Sequence, residues 1–410
     1  MDTINKLLIG PLNDLSSDLF RDKYNSLNQS NKKRLIELVI FKKFSPFFLD
    51  YVNKNNLIDL FDKDDFQEVL NQSRRYQIQS FETVREVILL DKLFKKNKLN
   101  PVFLKGVAIM GEYPDIAKRP SVDIDILFPK SELYSAYMIL IENNYNGPFI
   151  NQSQKEVFNY CKKRHHLPPL VGKSNISIEL HHRITRPIDF IECPLSENIL
   201  KNKKILNFYD QEIFIPSIDD LILHLLVHFS LNSEISNELK IVSDIKILEK
   251  KYSIDWIKFY DKINNRKILK SSALSLAIIK NHFEPKSDLK NLEKVFRNIN
   301  LTDEITLIAF QKMISQNNEL VSSKSFYEIS RKDSLRNFKQ FFKKIFLNKY
   351  DIINYYKISN PNFLNLFFFR IINTFDRLKK YFPFILRFFL IKDKNTKKLN
   401  EYRKIQEWLN

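Results

Sequence analysis

The chain has 410 residues, a formal net charge of +18, 44% hydrophobic and 13% aromatic residues, and 5 Gly. That is enough apolar material for two or three domains with a sizeable core, and it excludes global disorder. Two cysteines, Cys161 and Cys193, exclude a disulfide framework and a Cys-rich zinc site.

The opening "MDTINKLLIGPLNDLSSD" lacks the basic and long apolar stretches of a signal peptide. No uncharged apolar run approaches the ~20 residues of a membrane span. The expected location is cytoplasmic, with peripheral contact at the inner membrane face as an option through the C-terminal segment described below.

Residues 1–99 read as helices. "NKKRLIELVIFKKF" and "SFETVREVILLDKLFKK" carry apolar residues at three- and four-residue spacing. Ser80 or Thr83 is the expected cap of the second. "NPVFLKG" switches to a short apolar run that suits a buried strand, and "VAIMGEY" returns to helix. "VDIDILF" is the next strand, followed by a helix over "SELYSAYMILIENN" with Ser131 as its expected cap. "HHLPPLV" and "ISIELHHRI" flank "GKSN" and predict a hairpin turning on Gly172 and Asn175. Pro168 and Pro169 assign its first strand to a sheet edge. From about Ser217 the pattern is helical again. The expectation is an α+β fold: a small mixed sheet near 100–185 between helical regions. The corresponding divisions are 1–99 (N-terminal helices), 100–215 (sheet core), 216–330 (helical domain) and 331–410 (basic, Phe-rich helical segment).

In "RPSVDIDILFPK", Val122, Ile124 and Ile126 alternate with two like charges on one face, Asp123 and Asp125. Carboxylates two apart on a strand can hold divalent cations in an all-oxygen site. Two such metals can clamp the attacking and leaving oxygens of a phosphoryl or nucleotidyl transfer. A third carboxylate is wanted, and Glu179 in "SIELHHR" is the candidate. It sits between Ile178 and Leu180, and His181 shares its face. Taken alone, a D-x-D or a single Glu is an ordinary solvated strand face. Upstream, Lys105 and Gly106 stand at a strand-to-helix junction where backbone N–H groups and a lysine charge can meet a phosphate. Arg119 is expected to grip the same phosphates with its planar fork.

The run "FLKGVAIMGEYPDIAKRPSVDIDILF", followed by "HHLPPLVGKSNISIELHHRI", resembles the bacterial family of largely uncharacterised nucleotidyltransferases in the DNA polymerase beta superfamily. Lys105, Gly106, Tyr113, Arg119, Asp123, Asp125, Glu179 and His181 fall on its pattern. His224, His228, Asp244 and Trp256 match its helical second half. The superfamily's usual Gly-Ser pair in the phosphate loop is replaced by Lys105–Gly106, as in this family. His182 stands where an aromatic commonly follows "LH". The resemblance implies a polymerase-beta-type core, Mg²⁺ or Mn²⁺, and transfer of a nucleoside monophosphate from a nucleoside triphosphate (NTP) to a hydroxyl acceptor that it does not identify. Asp123, Asp125 and Glu179 would hold the metals, with Glu179 as general base. Lys105, Gly106 and Arg119 would bind the triphosphate, and His181 would support the site or touch phosphate. His165, His166, His181, His182, His224 and His228 invite a zinc reading, with His224 and His228 four apart on a helix, but are read as core or supporting histidines with satisfied hydrogen bonds rather than zinc ligands.

Residues 331–410 hold 19 Lys and Arg against 6 Asp and Glu, a net of +13. Their Phe clusters suit a packed helical subdomain, a membrane-surface helix, or single-stranded nucleic acid, which ranks last. Two rivals to the enzyme remain: a non-catalytic NTP-binding regulatory protein on the same core, and a membrane-surface accessory protein acting through this segment.

Overall fold

The computed structural model describes residues 2–148, 153–162, 164–186, 194–232, 235, 239–283, 290–315, 346–347, 349–356, 358, 362–390 and 397–409. Helices α1 (Thr3–Ile9), α2 (Ser17–Asn25), α3 (Gln29–Phe41), α4 (Ser45–Lys54) and α5 (Lys63–Lys96) precede the first strand. Next come β1 (Val102–Phe103), α6 (Lys105–Met110), β2 (Asp123–Leu127), α7 (Leu133–Glu142), α8 (Gln154–Cys161), β3 (Leu170–Val171) and β4 (Ser177–His181). They are followed by α9 (Pro194–Lys201), β5 (Lys204–Phe208) and β6 (Gln211–Ile215). Helices α10 (Ile218–Val227), α11 (Lys240–Tyr252), α12 (Trp256–Asp261), α13 (Arg266–Phe283), α14 (Lys290–Asn298) and α15 (Asp303–Ile314) follow. The last described helices are α16 (Lys349–Tyr356), α17 (Phe363–Leu390) and α18 (Lys397–Leu409). The class is α+β: mostly helix, around one mixed four-stranded sheet.

That sheet has the order β1-β2-β4-β3. β2 and β4 run parallel, while β1 and β3 are antiparallel to their neighbours. β3 is an edge strand, as its two preceding prolines require. In the turn, Asn175 takes a left-handed backbone (φ 58°), a conformation Asn tolerates well. Gly172 is needed for a different reason: an added Cβ would stand 2.6 Å from a ring carbon of Tyr145. Buried Glu86 of α5 accepts hydrogen bonds from Tyr145 Oη (2.5 Å) and Ser174 Oγ (2.7 Å), tying this turn to the helix that backs the sheet.

Ile124, Ile126, Ile178 and Leu180 face the main core with Val87, Leu90 and Phe94 of α5. The opposite face carries the acids. At its far end Leu127 joins Val102, Leu104, Ile184, Leu195 and Ile199 in a second apolar cluster, with Leu223 of α10 against it. Helices α9 and α10 therefore wall one end of the acidic face.

The structure departs from the sequence reading in local detail. Ser80 and Thr83 cap nothing. They lie inside the 34-residue α5 and bond back to the carbonyls of Tyr76 (2.9 Å) and Gln79 (2.8 Å), a habit of mid-helix hydroxyls. Helix α7 has Glu132, not Ser131, at its N-cap. A second sheet, the β5–β6 hairpin, turns on Tyr209 and Asp210, with Tyr209 left-handed at φ 52°. Its turn lacks the Asn-Gly signal that would have marked it.

In the C-terminal segment α18 joins the core. Ile405 and Leu409 are buried there, and Trp408 Nε1 donates to the carbonyl of Asn300 (2.9 Å). No helix of the described residues is long and apolar enough to cross a membrane.

Candidate active site

Alternation alone sets which side chains share a strand face. The register of β2 against β4 then decides which of them meet. Asp125 pairs with Glu179, Asp123 with Ser177, and Leu127 with His181. Asp123, Asp125, Glu179 and His181 thus converge on one face of two adjacent parallel strands. Ligand atoms of Asp125, Glu179 and His181 all lie within 4.8 Å of one another.

Asp125 is the centre. Its Oδ1 accepts from Lys105 Nζ (2.7 Å) and from His181 Nε2 (2.7 Å), and His181 Nε2 is also 3.4 Å from Glu179 Oε2. Asp125 and His181 are 2% and 1% exposed, and Asp123 is half-buried at the open end. Burial, then the adjacent Asp125 charge, pushes the Asp123 carboxyl up to about 6. Burial would also raise Asp125, but the Lys105 charge and the His181 hydrogen bond outweigh it and hold it well below the usual range. Glu179 is held low against burial by the His181 hydrogen bond and by His166. Burial opposes the charged form of His181, yet its bonds to Asp125 and Glu179 raise it to about 8. Lys105 is raised too, because three carboxylates outweigh its desolvation. At neutral pH the acids are therefore answered by two internal cations, Lys105 and protonated His181.

The segment before β2 is fixed tightly. Lys105 has a left-handed backbone (φ 42°), a strained state for a residue with a side chain. Leu104 N–H donates to the Asp125 carbonyl (2.9 Å), which brings Lys105 over the acids. Gly106 is required by packing: a Cβ there would collide with Ser121 Oγ. That hydroxyl donates to the Asp123 carbonyl (2.8 Å) and so fixes the start of β2.

In this structure Arg119 engages a carboxylate, with its Nη1 3.8 Å from the position a Cβ on Gly106 would take. Its Nε and Nη2 donate to Asp244 Oδ1 (2.6 Å) and Oδ2 (2.8 Å), and its Nη1 donates to the carbonyl of Pro120 (3.1 Å). Tyr113 Oη adds a bond to Asp244 Oδ1 (2.7 Å). Arg119 and Asp244 are 3% and 1% exposed. The fork expected for a phosphate is filled by a carboxylate of α11, and the triad clamps the loop entering β2 onto the helical region.

The histidines divide. His166 faces its bridge partner His181, with Nδ1 donating to the Leu167 carbonyl (2.6 Å) and Nε2 3.7 Å from Glu179 Oε2. From the sequence it counted only among the core or supporting histidines. The signal was the antiparallel hairpin, which folds "HHLPP" back on "ELHH". His182 points elsewhere, its Nε2 2.9 Å from the Arg164 carbonyl. Burial depresses His224 to about 3, and neither of its ring nitrogens has a hydrogen-bond partner among the described residues. The expectation of satisfied hydrogen bonds fails there. Its ring also feels the charges of Lys105 and Asp125. It is an orphaned buried polar group beside the acidic face.

The donor set suits a hard divalent cation. It offers carboxylates in register on two strands, one already paired with the Lys105 ammonium group. The chain belongs to the uncharacterised nucleotidyltransferase family, whose model matches residues 28–284. No curated protein and no solved structure matches the chain.

Proposed function

We propose that the chain is a Mg²⁺- or Mn²⁺-dependent nucleotidyltransferase with a polymerase-beta-type core, moving a nucleoside monophosphate from an NTP to an acceptor hydroxyl. The observation that carries this reading is the β2–β4 register, which sets Asp125 beside Glu179 with Asp123 on the same face. Family membership supports the same chemistry.

Asp123, Asp125 and Glu179 would hold the metal. When bound, divalent cations would neutralise phosphate charge and orient the in-line displacement. Glu179, ionised at neutral pH through its bond from His181, would accept the proton of the attacking hydroxyl. His181 would steady both carboxylates. Lys105, now held by Asp125, would offer its charge to the triphosphate, beside Gly106 at the start of α6. Arg119 would act at one remove, by holding the loop before Asp123 through Asp244.

The reading is tested with NTPs labelled at the α or γ phosphate, incubated with the protein, Mg²⁺ and a cell extract. Label from the α position should become acid-stable in an acceptor, and γ label should not. Glu179→Gln should lower transfer about 100-fold or more and NTP binding much less, as expected of a base that also completes the metal site. Transfer of γ label would identify a kinase instead. Metal-dependent NTP binding with no transfer would favour the regulatory rival.

A further inference from the structure

Among the described residues, the outer face of α17 is apolar and uncovered. Phe363, Leu364, Phe367, Phe368, Ile371, Phe375 and Leu378 are all exposed, Phe363 by 81% and Phe375 by 68%. At about 100° per residue these side chains fall within one stripe of about 140°. The opposite face of the same helix is used for packing: Phe369 stacks on Tyr356 of α16 at 4.8 Å, and Asn373 is 1% exposed. Over residues 363–379 the larger hydrophobic face is therefore the one turned outward, which a helix of a packed subdomain would not do.

Charge frames the stripe. Arg370 and Lys379 each stand roughly 20° outside one of its two edges on the same wheel. Along Phe363–Leu390 five Lys and Arg accompany a single acid, Asp376. An apolar face bordered on both sides by cations fits the boundary between acyl chains and anionic headgroups. No described helix is apolar enough to cross a bilayer, so the helix would lie in the plane of the surface. Pairing of two copies through this stripe would oppose like charges at both rims. Single-stranded nucleic acid fits less well, because Leu364, Ile371 and Leu378 have no ring on which a base can stack.

We propose that the outer face of α17 is a docking surface for anionic phospholipid bilayers. It lies outside the residues that match the nucleotidyltransferase family, so it is an attachment added to the catalytic region. The account of Asp123, Asp125 and Glu179 does not depend on it.

The test is co-sedimentation of the full chain with vesicles, using point variants. Truncating residues 331–410 would also remove the core contacts of α18. Binding to phosphatidylcholine containing about 30% phosphatidylglycerol should exceed binding to phosphatidylcholine alone about tenfold, and fall sharply near ~0.5 M salt. Phe367→Asp with Phe375→Asp should lose about tenfold in binding with an unchanged melt, because both side chains are exposed. Arg370→Gln with Lys379→Gln should lose the anionic preference, which keeps the proposal testable if the first variant misfolds. Wild-type binding in both variants overturns it, as does a full chain that stays in solution at low salt. A dimer, or retention of a single-stranded oligonucleotide, that Phe367→Asp abolishes without any vesicle binding reassigns the face to that partner.

Discussion

Asp125→Asn unfolds more easily than the native chain in EDTA, and Asp123→Asn does not. Asp125 is the counter-charge of Lys105 and of His181, both at 2.7 Å. Neutralising it leaves two buried cations with only Glu179 and Asp123 to answer them. Removing one partner of a buried charge pair costs about 3–5 kcal/mol. Asp123 is the opposite case. Its carboxyl is pushed up to about 6 by burial and by the neighbouring charge of Asp125, so an amide there removes a repulsion. Sequence alone makes the two acids equivalent and predicts that neither amide harms the metal-free fold. The structure separates them. Urea unfolding without metal should put Asp125→Asn about 3 kcal/mol below wild type, and Asp123→Asn level with it or above. Equal losses in the two variants would show that Lys105 and His181 do not hold the site as described.

Arg119→Ala carries an effect of similar size, again on stability rather than on nucleotide binding. It strands Asp244, 1% exposed, with Tyr113 Oη as its remaining side-chain donor. The expected loss is about 3–5 kcal/mol, a fall in melting temperature on the order of 10 °C. Arg119→Lys keeps the charge but not the planar fork, and should recover only part of it. Removing both partners, as Arg119→Met with Asp244→Leu, should be less damaging than the Arg119 change alone, because no charge remains uncompensated. Where Arg119→Lys folds, its NTP affinity should stay within about threefold of wild type, as expected of a residue whose guanidinium is held by Asp244. A fully stable Arg119→Ala that has lost NTP affinity would return this residue to the triphosphate.

These two cases show what a sequence exposes. Strand alternation placed Asp123 and Asp125 on one face of their strand, and Glu179 and His181 on one face of theirs. Both are short-range consequences of backbone geometry, so they were legible. The side chains standing opposite those faces were not. Tyr113, Arg119 and Asp244 were visible as members of a family pattern. Their closure into one buried knot joins positions 125 or more residues apart, which no local period encodes. Lys105 was read as a phosphate ligand because it follows a strand; its contact with Asp125 follows from a left-handed backbone at Lys105 itself. The β5–β6 hairpin went unread because its Tyr-Asp turn carries no glycine. In the C-terminal segment, composition registered the Phe and Lys but not their division. Helix α18 faces the core, and α17 shows its apolar stripe to the outside.

The central claim is that Asp123, Asp125 and Glu179 form one metal-dependent nucleotide site. Calorimetric titration of a non-hydrolysable NTP analogue into the full chain tests it without needing the acceptor. Binding should require Mg²⁺ or Mn²⁺, vanish in EDTA, and be lost in Asp123→Asn, the variant whose metal-free fold is expected to remain intact. Binding of equal strength in EDTA, or in Asp123→Asn with Mg²⁺ present, would contradict the account.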